Sequence, residues 1–168
     1  MSEVRAAVPE DSYAVAQVHV RSWQSAYRGL IPQEYLDSLE PEVWAGRYTF
    51  GRMGFQRPFT LVAVDGSAIR GLATTGLCRD EDVTNFGELL AIYVDPAHVC
   101  AGIGRLLIAA ARERLRRVGV AEALLWVLEG NVRARRFYER DGWRFDGTHR
   151  TSAYGNVPVD EVRYRRTL

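Results

Sequence analysis

The chain has 168 residues, enough for one domain with an ordinary core, expected to span residues 1–168. Its net charge of +1 gives no global pull toward nucleic acid, and it has no apolar run long enough to span a membrane. The N-terminal M-S-E-V-R-A-A-V-P-E-D lacks an apolar signal core, so the expected compartment is the cytoplasm.

Residues 4–8 read as a short strand. Pro9-Glu10-Asp11-Ser12 reads as a helix start, with Asp11 or Ser12 as N-cap. The helix that follows turns Val15, Val18, Ser22, Trp23 and Ala26 toward the core and ends near Gly29. Pro32 opens a second helical piece with Tyr35, Leu36 and Leu39, and Pro41 a third with Val43, Trp44 and Tyr48. Residues 51–58 form a loop. Residues 59–64 and 69–77 are strands joined by Asp65-Gly66-Ser67 as a hairpin turn. Residues 79–85 are polar and acidic, and Asp80-Glu81-Asp82 reads as a solvated turn.

The stretch from Glu88 to Leu115 organises the rest. Residues 89–94 are an apolar run that reads as a buried strand, stopped by Asp95-Pro96. Gly102-Ile103-Gly104 then opens a helix with Ile103, Leu106, Leu107, Ala110, Ala111, Leu115 and Val118 on one face. Gly119 ends it, and residues 123–128 form the next strand. Asn131 opens another helix, which Asp141-Gly142 closes. Residues 143–148 and 159–166 are the last two strands, separated by a loop containing Tyr154, Gly155 and Asn156. The order β-α-α-β-β-β-α-β-α-β-β is that of an α/β chain, without repeats or linkers.

The glycine turn has a chemical consequence. The first amides of a helix lack internal partners and carry partial positive charge, and glycines let several amides converge on one anion. A phosphate or diphosphate suits such a place, and Arg105 adds a full charge there. Three phosphate-binding patterns compete. The P-loop run G-x-x-x-x-G-K-[ST] is absent. The dinucleotide fingerprint G-x-G-x-x-G fails at its third glycine, where Leu107 stands, although Glu122 lies at a suitable distance for a ribose contact. The third is an acetyl-CoA signature, [QR]-x-x-G-x-[GA] after such a strand. Val99-Cys100-Ala101-Gly102-Ile103-Gly104 resembles it, with Val99 where Gln or Arg is usual. About thirty residues on, Asn131, Ala134, Tyr138, Gly142 and Trp143 match N-x-x-A-x-x-x-Y-x-x-x-G-[FW]. Two motifs in this order resemble the GNAT family of N-acetyltransferases over nearly the whole chain, most diagnostically from Glu88 to Trp143.

The resemblance implies an α/β (α+β) fold whose mixed sheet of about seven strands splays between its fourth and fifth strands, with acetyl-CoA entering the gap as acetyl donor. Amides of Val99, Cys100, Ala101, Gly102, Ile103, Gly104 and Arg105 would anchor its diphosphate, with Arg133 or Arg136 nearby. Ile92, Tyr93 and Val94 would pair with the pantetheine, and Asn131 would contribute from the next strand's end. Tyr138 would face the sulfur and supply a proton to the leaving thiolate. Trp23, Tyr27, Tyr35 and Trp44 would wall the acceptor site. Without Gln or Arg at position 99, the resemblance implies weaker CoA binding. Dimer formation is common in the family.

The acceptor implied is a primary amine: a small molecule, a polyamine, an amino acid or a peptide N-terminus. An alkylamine with a pKa near 10.4 is neutral about once in 2,500 at pH 7, a handicap of roughly 4.6 kcal/mol that a base must offset. Glu88, fourteen residues before Gly102, stands where some members of the family keep that base, with Glu81, Asp82 and His149 as lesser candidates. A non-catalytic acyl-CoA-binding domain is the alternative. Nothing suggests a metal: Cys78, Cys100, His19, His98 and His149 are scattered.

Overall fold

The computed structural model describes residues 2–52 and 58–168, so most of the loop expected over 51–58 lies outside the described residues. Seven strands form one sheet in the order β1-β2-β3-β4-β5-β7-β6. They are β1 (Glu3–Ala6), β2 (Phe59–Asp65), β3 (Ala68–Leu77), β4 (Phe86–Val94), β5 (Glu122–Leu128), β6 (Arg144–Tyr154) and β7 (Val157–Thr167). Every pairing is antiparallel except β4 with β5. Helices α1 (Ser12–Ala26), α2 (Gln33–Asp37) and α3 (Pro41–Ala45) cover one face, and α4 (Ile103–Arg117) and α5 (Val132–Arg140) the other. This is the expected mixed α/β sheet.

Burial on both faces explains the apolar run over 61–64 of β2. Along β2, Val62 packs with Val15 and Val18 of α1, and Ala63 with Leu107 and Ala111 of α4. On β3 the neighbours Leu72 and Ala73 divide in the same way. Each fully buried Val or Leu here contributes about 1.5–3 kcal/mol.

The helices depart from expectation in three places. Helix α1 ends at Ala26, where the Tyr27 amide still reaches the Trp23 carbonyl at 2.9 Å; Ala26 is exposed, and Ala16, His19 and Val20 are buried instead. Asp11 holds the N-cap position but caps nothing. Its carboxylate turns back to accept the Val8 amide at 2.9 Å and the Arg5 guanidinium at 2.7 Å, fastening β1 to the helix start. On α4 the buried line runs through Ile103, Leu107, Ile108, Ala111 and Leu115. Leu106 is 46% exposed, because it precedes Leu107 on the helix by one position and turns away from the sheet.

The last hairpin is longer than the apolar pattern suggests. β6 and β7 each have eleven residues, and Tyr154 pairs with Val157 across a two-residue turn. Gly155 and Asn156 both have positive φ, 58° and 67°, as a type I′ turn requires. β6 is a mostly exposed edge strand, so its hydrogen-bond ladder, rather than hydrophobic alternation, defines it.

Candidate active site

The sheet is split beside the glycine turn. Strands β4 and β5 pair only at Phe86–Glu122, Gly87–Ala123 and Glu88–Leu124, and then part. Beyond Glu88, β4 stays bonded to β3, with a bulge that leaves Leu90 unpaired, while β5 stays bonded to β7. The β5-facing edge of Ile92, Tyr93 and Val94 therefore has no strand partner among the described residues, although β4 is the central strand of the sheet. Residues 91–94 are correspondingly only half-buried.

At the end of this gap the chain turns. Asp95 accepts the Ala97 amide and the Arg21 guanidinium, which fixes the strand's exit. Cys100 and Gly102 both adopt left-handed conformations, φ 64° and 82°, before α4 begins at Ile103. Among the described residues, none of the amides of Val99, Cys100, Ala101, Gly102, Ile103, Gly104 and Arg105 has an acceptor; the first helical bond is Leu106 N–H to the Gly102 carbonyl. Seven donors without acceptors at and just before a helix N-terminus have the chemistry that suits an anion. Gly104 lets the neighbouring helix approach, since a Cβ there would stand 3.3 Å from the Phe137 ring. Val99 is 41% exposed and brings no polar group. Arg133 of α5 lies against the same loop, its Nη2 donating to Cys100 Sγ at 3.4 Å. Arg105, Arg133 and Arg136 have no carboxylate partner among the described residues. Asn131 caps α5, its Oδ1 accepting the Ala134 amide at 3.3 Å.

Four phenols, from the end of α1, β4, α5 and β6, act on one another. Burial first, then the nearby hydroxyls of Tyr93, Tyr154 and Tyr138, push Tyr27 far above the ordinary phenol range. Burial and Tyr93 likewise raise Tyr138, which packs in the α4–α5 cluster against Phe137 and Tyr164 and has no hydrogen-bond partner for its hydroxyl among the described residues. Trp23 connects the α1 side, with ring centroids 5.1 Å from Tyr27, 5.7 Å from Trp44, 6.3 Å from Tyr93 and 5.6 Å from Tyr154. Tyr35 packs on Tyr154 at 6.4 Å. The sequence-proposed aromatics of α1 to α3 therefore share one wall. Tyr154, expected only as a loop residue, belongs to it too.

Glu88 lies on the α1 face, because a Cβ on its neighbour Gly87 would meet Leu115 on the opposite side. Its carboxylate, the Cys78 thiol and the Asp80 carboxylate stand within 4.8 Å of one another. Burial, then the charge of Asp80, raise the Glu88 pKa. Burial pushes the Cys78 thiol up to about 12. Asp80 is engaged already, accepting from Trp126 Nε1 at 3.1 Å and Arg163 Nη1 at 3.0 Å. The acidic loop is thus no solvated turn. Arg163, 2% exposed, bonds Asp80, Asp82 and Asp146 together, since a buried guanidinium needs several acceptors at once. Asp82 is committed to that pair, Glu81 is exposed, and His149 packs edge-on to Phe145.

A parallel pair opened beside unpaired helix-start amides offers a free strand edge next to donors that suit an anion. Residues 19–143 match the acetyltransferase (GNAT) family, and the chain belongs to it. It is 35% identical over 136 residues to YuaI, an uncharacterised N-acetyltransferase of Bacillus subtilis, covering 78% of this chain and 74% of that one. It is 24% identical over 146 residues to spermidine N(1)-acetyltransferase of Thermoplasma acidophilum, covering 87% and 90%. The fold is that of the PaiA N-acetyltransferase of T. acidophilum in complex with coenzyme A, with TM-score 0.76, 21% identity and coverage of 100% and 99%. It also resembles YncA of Salmonella typhimurium with acetyl-CoA, with TM-score 0.72, 18% identity and coverage of 99% and 93%. The protein is an N-acetyltransferase, and acetyl-CoA is its acetyl donor. Among the described residues, no helix is long and apolar enough to cross a membrane.

Proposed function

We propose that the protein transfers the acetyl group directly from acetyl-CoA to a primary amine, both substrates being bound at once. The observation that carries this reading is the row of seven acceptor-less amides beside the open β4 edge. The amides of Val99 to Arg105 hold the diphosphate, with Arg105 and Arg133 adding charge. The free edge of Ile92, Tyr93 and Val94 pairs with the pantetheine amides, and Asn131 lines the far side. Bound acetyl-CoA supplies the acetyl group as a thioester.

A direct route fits the thiols. Cys100 sits on the diphosphate loop, away from where the sheet parts, and Cys78 at about 12 stays protonated, so neither is a ready nucleophile for an acyl-enzyme. Glu88, whose pKa burial raises and whose carboxylate lies against the Cys78 thiol, is the base that takes the ammonium proton. Tyr138 holds its proton throughout the working range and donates a hydrogen bond to charge developing on sulfur. Its raised pKa makes full transfer to a free thiolate, pKa about 8.5, uphill. As the C–N bond forms and the C–S bond breaks, the second proton lost by the nitrogen ends on the CoA sulfur, which leaves as the thiol with the Tyr138 hydroxyl donating to it.

Tyr138→Phe tests the assignment. Turnover should fall about a hundredfold while the Kd for CoA, read by calorimetry, changes little. An unchanged kcat would remove Tyr138 from the reaction.

A further inference from the structure

Glu161 of β7 is a carboxylate that the acetyl transfer leaves unused. It is 5% exposed. Its Oε1 is filled: Arg150 Nε donates at 2.8 Å and Ser152 Oγ at 2.6 Å. Among the described residues its Oε2 has only the Tyr154 hydroxyl, at 3.3 Å, long beside the usual O–H···O distance of about 2.7–2.8 Å. An ionised carboxylate accepts about four hydrogen bonds, so Oε2 has room for a strong donor.

Its position fits the acceptor. Glu161 pairs in register with Leu128, the last residue of β5, at the mouth of the gap. It shares the α1 side of the sheet with Arg163, while Val162 and Tyr164 pack on the α4–α5 side. Burial chiefly raises Glu88, Tyr93 and Tyr154, and the charge of Glu161 adds to each, so all three stand within its field. Tyr154 and Tyr93 both pack on Trp23, which sets aromatic rings beside the open oxygen, surroundings that suit an ammonium group. Asp80, Asp82 and Asp146 are paired with Arg163 and Arg165, and Glu161 with Arg150, while among the described residues no arginine lies within ion-pair distance of Glu88.

We propose that Glu161 Oε2, flanked by Tyr93 and Tyr154, receives a second cationic group of the acceptor, so that the enzyme selects dicationic amines over monoamines. This rests on the acceptor binding at the α1 face, as in the proposed function.

The test compares aliphatic diamines of increasing length with the monoamine of the same length, each with acetyl-CoA, in the wild type and in Glu161→Gln. The wild type should prefer the best diamine by about tenfold or more in kcat/KM, chiefly through KM. Glu161→Gln should bring that ratio close to one, with CoA binding by thermal shift confirming that the cleft is folded. Equal use of both amines by the wild type overturns the inference without any variant, and so does a ratio that survives the substitution; both leave the acetyl transfer standing. If neither amine is acetylated although CoA binds, the acceptor reading fails and the inference with it.

Discussion

At the residue scale, the surroundings of Glu88 give it the property the proposed base needs. Burial, with Asp80 beside it, favours the protonated form, so the acid limb of kcat/KM should lie above the ordinary glutamate range near 4.3. Glu88→Gln should lower turnover about a hundred- to ten-thousandfold and flatten that limb. The same shift fixes the sign for stability. A carboxyl whose folded pKa is raised loses stability as pH rises through that window, so Glu88→Gln should raise the melting temperature at neutral pH while it lowers activity. A variant both inactive and less stable would assign Glu88 to structure. Val99 is the complementary case, an apolar side chain 41% exposed at the rim of the cradle. Val99→Gln should tighten CoA binding about tenfold, the value of one added hydrogen bond to a charged group, and calorimetry reads this directly. Unchanged affinity would place the phosphates beyond that side chain's reach.

At the element scale, the β6–β7 hairpin is the movable-looking piece that is in fact fixed. Its turn rests on α2: a Cβ on Gly155 would stand 2.8 Å from Tyr35 Cδ2 and 3.1 Å from Tyr35 Cβ, with φ at 58°. Gly155→Ala therefore meets both a left-handed backbone, costing about 1–2 kcal/mol, and a contact that moves Tyr35. The melting temperature should fall by roughly 4–8 °C and the KM for the amine should rise, because Tyr35 and Tyr154 share the aromatic wall; CoA affinity should hold. Arg163 fixes the facing loop in a similar way, drawing Asp80 and Asp82 onto β7. These two contacts give the α1 face a rigid rim.

At the scale of the whole molecule, His19 makes stability depend on pH. It is buried among Trp23, Trp44, Tyr48 and Tyr93, its Nδ1 is bonded to the Tyr48 hydroxyl at 2.9 Å, and its Nε2 has no partner among the described residues. Burial lowers its pKa to about 4. The unfolded chain takes up this proton below about 6.5 and the folded one only near 4, so up to about 3 kcal/mol of stability is lost as pH falls across that interval. Asp11, Asp82, Asp95 and Asp146 have lowered pKa values and lose their contribution below about 3.9, outside the interval. Glu88 acts in the opposite direction. Urea midpoints at pH about 7 and about 4.5 should therefore differ in the wild type and differ much less in His19→Asn. A slope that survives the substitution would belong to other groups.

The sequence by itself determined the strand–turn–helix at Gly102, the helix opened by Asn131 and the place of Tyr138, because motif spacing and apolar periodicity are local properties of the chain. It also supplied the aromatics of α1 and α2, though not their meeting. Only the tertiary structure decided that β4 and β5 part after Glu88, that the acidic loop closes onto the buried Arg163, and that Tyr154 and Glu161 meet on the α1 face. Those facts depend on pairing register and on charges brought together from residues far apart in sequence. A buried arginine reads the same in sequence as an exposed one, and a polar edge strand has no apolar alternation to show; packing alone gives each its role.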